Sequence, residues 1–175
     1  MLPVLNMLTV DLRRLEAGGI RLEAEVLAED ALWQDADVTF LRPFRAHLWA
    51  VRTGEHSVLV RGRFDAQVRA ACRRCLAPLA LEIDEPVELY FEPLASPDEE
   101  DLHVYHLDAL ATELDLGWPL REQFLLALPG YPLCREDCRG LCAGCGADLN
   151  VETCRCSGKS ADPRWGPLRA LGSEA

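Results

Sequence analysis

The stretch SVLVRGRFDAQVRAACRRCLAPLALEIDEPVELYFE, residues 57–92, decides the fold. Its first half places apolar side chains at alternate positions from Val58 to Val68, with charged and polar residues between them. Its second half repeats the pattern from Leu79 to Phe91. A period of two is typical of an antiparallel strand with one buried face. The stretch therefore predicts a long β-hairpin with one face in water.

Further strands are expected on the N-terminal side of this hairpin. A strand from about Val38 to Arg52 would be joined to it by a turn at residues 53–55. The first residues of the chain predict an N-terminal strand, a helical turn that ends at Gly18-Gly19, and a strand near 20–27. Together these segments indicate an antiparallel sheet that could curve into a barrel.

One main helix should follow the sheet. It is expected to open near Asp115, to carry Leu120 and Phe124 inward, and to end before Pro129. Pro119 would lie in its first turn, where a missing amide proton is harmless. The fold class predicted is therefore α+β, with a β-rich domain and packed helix over residues 1–130. Residues 131–175 would form a zinc-ribbon-like, metal-binding module with a docked tail.

The eight cysteines come in closely spaced pairs, and C-x-x-C spacing lets two sulfurs converge on one ion. In the segment CAGCG a glycine follows the second cysteine, as a tight turn around a metal requires. We expect two sites of four thiolates each, most simply occupied by structural zinc. The predicted ligand sets are Cys142, Cys145, Cys154 and Cys156 for one site, and Cys72, Cys75, Cys134 and Cys138 for the other.

Other uses of the cysteines stay open at this point. Disulfides need an oxidising compartment, and the N-terminus lacks the basic region and cleavage site of a signal peptide. An iron-sulfur cluster, reduced thiols and a thiol redox centre are alternatives, although neither C-x-x-C stands at the start of a helix after a strand. The four histidines lie outside the cysteine clusters. The sites are therefore expected to be structural rather than catalytic.

Composition limits the classes of partner. The chain has 175 residues, a formal net charge of −11, and no run near the about 18 apolar residues of a membrane span. We expect a cytoplasmic protein. The negative charge argues against a general nucleic-acid-binding protein that contacts phosphates over its whole surface, and it favours a basic partner. A local basic face is compatible with this net charge.

Three residues are predicted to touch a partner: Arg73, Arg74 and Trp165. The two arginines stand at the hairpin tip without obvious acidic neighbours, and the tryptophan lies in a tail where it must dock on this chain or on another. Other arginines are expected to be paired within the hairpin. A tight turn would set Arg69 against Glu82 and Arg63 against Glu88.

A metal-dependent nuclease or other RNA-processing enzyme is the rival from another class. It would need convergent carboxylates or histidines around an open metal. The candidate carboxylates, Asp65, Glu82, Asp84 and Glu88, alternate with or face arginines that would neutralise them. No catalytic residue is therefore predicted.

Four segments in this order resemble one known family: VLVRGRF with VRAACRRCLAPL, DLGWPLREQFLLALPGYPLC, CRGLCAGCGADLN with CRC, and DPRWGPLRAL. The chain resembles the YceD family of large ribosomal RNA subunit accumulation proteins from about Val58 to Leu171. The resemblance implies a bacterial cytoplasmic protein that supports accumulation or processing of large-subunit ribosomal RNA, with no catalytic residues to carry over. The acidic charge favours attachment to the precursor particle through a basic ribosomal protein.

Overall fold

The computed structural model of the chain describes residues 8–15, 18–93 and 104–156. They form two compact units. The first lies within Met1–Ala70 and Pro78–Gly130, and the second within Ala71–Ala77 and Tyr131–Ala175. The second unit thus combines the tip of the long hairpin with the cysteine-rich segment.

The first unit contains a five-stranded sheet, a two-stranded sheet and a helix. In chain order the elements are β1 (Thr9–Asp11), β2 (Ile20–Val26), β3 (Thr39–Arg52), β4 (Val58–Ala71), β5 (Pro78–Glu92), β6 (Val104–His106), β7 (Glu113–Asp115) and α1 (Gly117–Ala127). The large sheet has the order β2-β3-β4-β5-β6, and β1 pairs with β7. The α+β class is confirmed. Among the described strands the large sheet is open, with β2 and β6 as its edges, and not closed into a barrel.

The alternation predicted for the long hairpin is confirmed. On β4, Val58, Val60 and Phe64 are at most 2% exposed, and on β5 Leu89 and Phe91 reach the same core. Burying each of these side chains contributes roughly 1.5–3 kcal/mol before the entropy cost of ordering the chain. The intervening side chains form an open, charged face of the sheet.

Five aromatic rings lock the helix onto the sheet within the first unit. Phe124 of α1 packs against Trp33, which lies in a 3₁₀ turn at Ala31–Trp33, with ring centroids 5.3 Å apart. Phe124 also lies 5.6 Å from Phe44 and 6.1 Å from Phe64. Most of these contacts are tilted or edge-to-face, the geometries that the ring quadrupole favours.

The helix begins close to its predicted start. The Asp115 carboxylate accepts the Gly117 amide at 2.8 Å, which satisfies one of the free amides at the helix start. Pro119 lies in the first turn, and Leu120 and Phe124 are fully buried, as expected. Among the described residues, no helix is both long enough and apolar enough to cross a membrane.

The predicted ion pairs on the open face are wrong in their partners. Arg63 donates to Asp84 at 2.7 Å and not to Glu88. Glu82 accepts from Arg42 and Gln67 rather than from Arg69. The hairpin closes through a six-residue turn in which the Cys72 backbone amide donates to the Ala77 carbonyl. The predicted register assumed a tighter turn, and it therefore placed the wrong acidic residues opposite the arginines.

Two candidate metal centres

The structure brings the eight cysteines together as two sets of four, and these are the two sets that the spacing predicts. Within each set the four Sγ atoms all lie within 4.8 Å of one another. Set 1 comprises Cys72, Cys75, Cys134 and Cys138, and set 2 comprises Cys142, Cys145, Cys154 and Cys156. Both sets belong to the second unit.

Set 1 is the more buried. The Sγ atoms of Cys72 and Cys138 are 3.8 Å apart, and those of Cys75 and Cys134 are 3.7 Å apart. Four sulfurs about 2.3 Å from one ion at tetrahedral angles would be separated by about 3.8 Å. Cys72 is 0% exposed and Cys138 is 2% exposed, so three of the four ligands are shielded from water. The four sulfurs and their spacing fit a zinc ion that is bound by four thiolates.

Set 2 has similar spacing at the surface. The Cys142 sulfur lies 3.3 Å from that of Cys154 and 3.8 Å from that of Cys156. Cys145 and Cys154 are separated by 4.0 Å at sulfur. Three of the four residues are exposed and Cys142 is half-buried. Set 2 therefore offers the same ligands as set 1 with easier access for water, chelators and oxidants.

The two C-x-x-C turns repeat one backbone design. We call Cys72–Ala77 knuckle 1 and Cys142–Ala147 knuckle 2. In knuckle 1, the Cys72 backbone amide donates to the Ala77 carbonyl at 2.8 Å, and the Leu76 backbone amide donates to the Cys72 carbonyl at 2.9 Å. The same two bonds, both 2.8 Å, close knuckle 2. These bonds curl the chain so that both thiols of each pair point to one place.

Each knuckle also aims a backbone amide at its first sulfur. The Arg74 amide donates to Cys72 Sγ at 3.4 Å, and the Gly144 amide donates to Cys142 Sγ at 3.4 Å. Such bonds favour the thiolate over the thiol. They support metal binding because the thiolate is the ligand form.

Backbone amides of each knuckle also lower the pKa of its first cysteine. The amide of Cys75 is the main cause that lowers the pKa of Cys72 from 9.0 to about 6. The amide of Cys145 does the same for Cys142, whose pKa is also lowered to about 6. One sulfur in each set is therefore an anion at neutral pH.

The other thiols hold their protons more tightly. Hydrogen bonding with Cys138 raises the pKa of Cys134 to about 12, and hydrogen bonding with Cys154 raises the pKa of Cys156 to about 12. Crowded sulfurs resist a second and third negative charge. A divalent cation at the centre of each set would remove that penalty, so metal binding and proton release are coupled.

Arg73 and Arg74 are both exposed, and the Arg74 side chain is tied to the backbone that carries set 1. The Arg74 guanidinium donates to the carbonyls of Glu136 at 3.1 Å and Cys138 at 2.9 Å. The Arg74 carbonyl in turn accepts the Leu141 amide at 2.9 Å. Its side chain thus holds the segment that carries two of the ligands. Trp165, the third predicted contact residue, lies outside the described residues.

Two residues near set 1 were not predicted to have a role. The Asn150 amide nitrogen donates to Cys138 Sγ at 3.5 Å, while its oxygen accepts the Arg139 amide at 2.8 Å. Gly140 has φ 73°, and a Cβ there would lie 2.9 Å from the Arg74 carbonyl. Both belong to the GLCAGCGADLN segment, but only their tertiary contacts show what they do.

Several known proteins are similar to this chain. Uncharacterized proteins of Mycobacterium bovis and Mycobacterium tuberculosis are each 33% identical over 127 residues, which cover 71% of this chain and 61% of theirs. The chain thus spans less than two thirds of the length of these relatives. A protein of Arabidopsis thaliana named "Large ribosomal RNA subunit accumulation protein YCED homolog 1, chloroplastic" is 32% identical over 66 residues, 38% of this chain and 21% of that protein. No solved structure matches the chain.

A family model covers both candidate centres. It is described as "Large ribosomal RNA subunit accumulation protein YceD" and matches residues 60–172. That range contains all but the first two residues of β4, all of β5 and α1, and every cysteine of sets 1 and 2. The chain belongs to the YceD family.

Proposed function

We propose that this chain is a cytoplasmic, non-enzymatic factor that supports accumulation or processing of large-subunit ribosomal RNA and assembly of the ribosome. Two structural zinc ions would hold its second unit. The observation that carries the proposal is the family match, which spans both cysteine sets. The name of the Arabidopsis relative points in the same direction.

The structural role of zinc is supported by the ligand chemistry. Four thiolates complete a tetrahedral shell and leave no position for a substrate or water. The second unit is small and rich in turns, and such units are usually stapled by metal because they cannot bury a large core. Zinc would therefore fix the surface that the knuckles present.

A non-enzymatic role is also supported by the state of the acidic residues on the sheet. Asp84 is paired with Arg63, and Glu82 with Arg42. A carboxylate held by an arginine is a poor ligand for magnesium, since the arginine competes for the same oxygens. The nuclease alternative would need these pairs to break.

The partner surface we propose includes Arg73, Arg74 and Trp165. Arg73 is exposed at the tip of the hairpin and free to contact a phosphate or an acidic side chain. Arg74 is anchored beside set 1, because its guanidinium donates to the carbonyls of Glu136 and Cys138. The net charge of −11 favours a basic ribosomal protein as the bridge to the precursor particle.

The test is recovery of the tagged chain from cells, with and without ribonuclease treatment. We expect large-subunit precursors to be recovered, and a basic ribosomal protein to stay attached after ribonuclease. Loss of every large-subunit component after ribonuclease would replace the protein bridge with direct RNA contact. Recovery of no large-subunit component in either condition would refute the proposal. Cleavage of precursor ribosomal RNA by the purified, magnesium-supplemented protein would refute its non-enzymatic part.

A further inference from the structure

The open face of the large sheet carries one row in which arginines flank a tryptophan. Arg21 of β2 lies opposite Trp49 of β3, and Trp49 lies opposite Arg61 of β4. We call these three residues the tryptophan row. Tyr90, 41% exposed on β5, lies on the same open face. All of these residues belong to the first unit.

The neighbouring rows are neutralised. Arg45 is paired with Glu25 at 2.8 Å, Arg63 with Asp84 at 2.7 Å, and Arg42 with Glu82. These pairs cancel most of the positive charge that β3 and β4 bring to the face. Little net positive charge therefore remains in these rows to bind a ligand by electrostatic attraction alone.

The tryptophan row keeps its charge. Within residues 8–15, 18–93 and 104–156, neither Arg21 nor Arg61 forms an ion pair. Arg69 also forms none there, but it lies opposite Thr39, far along β4 from the row. Two cations therefore remain free on either side of one indole, in a chain that is acidic as a whole.

The row is held in a geometry suited to stacking. The Arg61 guanidinium carbon lies 4.6 Å from the centroid of the Trp49 ring. Gly19, with φ 70°, crosses the indole so closely that a Cβ would lie 2.5 Å from Nε1. The glycine fixes the ring, and the ring orients the guanidinium. The donors of Arg61 stay available because it has no carboxylate partner among the described residues.

A shallow groove continues the row toward β5. It has a volume of about 440 Å³ and is lined by Arg61, Gly62, Pro86, Val87 and Glu88. The Glu88 carboxylate accepts the Tyr90 hydroxyl at 2.6 Å and repels a phosphate. It can accept a base amine or a ribose hydroxyl, so the groove favours a nucleoside beside a phosphate that Arg61 binds.

We propose that the tryptophan row, with Tyr90 and the groove, is a stacking platform for a short single-stranded segment of RNA. The proposal rests on the function proposed above, which places the chain with precursor ribosomal RNA. A duplex would need many phosphate contacts, and the paired arginines cannot provide them. Unpaired bases need only aromatic or guanidinium planes and a few cations, which the row provides.

The test measures binding of the full, zinc-loaded chain to a labelled single-stranded oligouridylate and to an RNA duplex of equal length. The row variants are Arg21→Gln, Arg61→Gln and Trp49→Leu. We expect each to weaken single-strand binding about fivefold or more, and the duplex to bind more weakly than the single strand. With two phosphate contacts, log K should fall against log salt with a slope of about −1.4.

Arg45→Gln is the matched control, because Arg45 lies on the same face but is paired with Glu25. It should bind the single strand as the wild type does. Equal losses in Arg45→Gln and Arg61→Gln would overturn the proposal, as would wild-type affinity in the row variants or equal affinity for the duplex. If Trp49→Leu fails to fold, the two exposed arginine variants decide the outcome.

Fractionation of cell extracts separates this proposal from the proposed function. Wild-type chain should travel with large-subunit precursors and cross-link to their RNA under ultraviolet light, and Arg21→Gln/Arg61→Gln should cross-link to that RNA less. If the wild type is absent from these fractions, the proposed function fails. If the double variant cross-links to the precursor RNA as the wild type does, the function stands and the platform is refuted.

Discussion

Leu76 and Gly146 occupy the same position in knuckles 1 and 2, and both have a left-handed backbone, with φ 62° and 74°. Glycine adopts this conformation freely, whereas a leucine is strained in it by roughly 1–2 kcal/mol. Leu76 is also 65% exposed, so burial offsets little of the strain. Knuckle 1 therefore retains a strained, exposed apolar side chain where knuckle 2 has none.

The first prediction concerns this pair. Leu76→Gly should strengthen zinc binding at set 1 or leave it unchanged, since relief of strain is partly offset by the greater freedom of glycine in the unfolded chain. Gly146→Leu should weaken binding at set 2 by about tenfold, the equivalent of about 1.4 kcal/mol. Competition with a chromophoric chelator measures both. Weaker zinc binding in Leu76→Gly would contradict the strain argument.

The second prediction concerns Gly62, which lies opposite Leu48 in the sheet. A Cβ on Gly62 would lie 2.0 Å from the His47 carbonyl oxygen and 2.9 Å from Leu48 Cα. Because these are backbone atoms, Gly62→Ala should lower the free energy of unfolding by at least about 2 kcal/mol. Gly18→Ala is the control: a Cβ there meets nothing within 4 Å, and denaturant unfolding should show a change within about 0.5 kcal/mol.

The third prediction concerns metal content. The purified chain should hold two zinc ions, and a chelator should remove the one at set 2 first because three of its ligands are exposed. Cys145→Ser should remove the zinc of set 2, so that about one zinc per chain remains and the chelator extracts it slowly. Cys72→Ser should remove the zinc of set 1, so that about one zinc per chain remains and the chelator extracts it quickly. A single kinetic phase in the wild type, or one zinc per chain, would contradict the assignment of two independent sites.

The fourth prediction is a pH dependence. The pKa of Cys72 and that of Cys142 are lowered by backbone amides from 9.0 to about 6. Cys72 and Cys142 are therefore thiolates above about pH 6, whereas Cys134 and Cys156 must release a proton to bind zinc even at neutral pH. Equilibrium dialysis at limiting zinc should show an affinity that falls as the pH is lowered, and more steeply below about pH 6, where Cys72 and Cys142 also take up protons. Unchanged zinc content at pH 4 would refute the proton competition.

The fifth prediction concerns the Arg63–Asp84 pair, whose side chains are 56% and 62% exposed. A double-mutant cycle with Arg63→Ala and Asp84→Ala should give a coupling energy below about 1 kcal/mol, since water and salt screen exposed pairs. Unfolding in high salt should reduce it further. A coupling well above that value would mean that this pair is a structural clamp of the sheet.

The short strands show where local patterns lose their information. The three-residue strands β6 and β7 were not predicted, β1 was expected only as an N-terminal strand without bounds, and β6 pairs parallel to β5. Three residues contain too little alternation to signal a strand, and a parallel partner is chosen by the path of the chain. Likewise, the partners of Arg63 and Glu82 depend on a register that the hairpin turn sets.

The sequence by itself determined the long hairpin, the helix and the division of the cysteines into two sets. Alternation records which face is buried, and C-x-x-C spacing restricts which sulfurs can meet, so both are local properties of the chain. The tertiary structure alone decided the rest. It turns Arg74 into a support of set 1 and sets Arg21 and Arg61 on either side of Trp49. Those relationships join residues distant in the chain, and only packing and strand register bring them together.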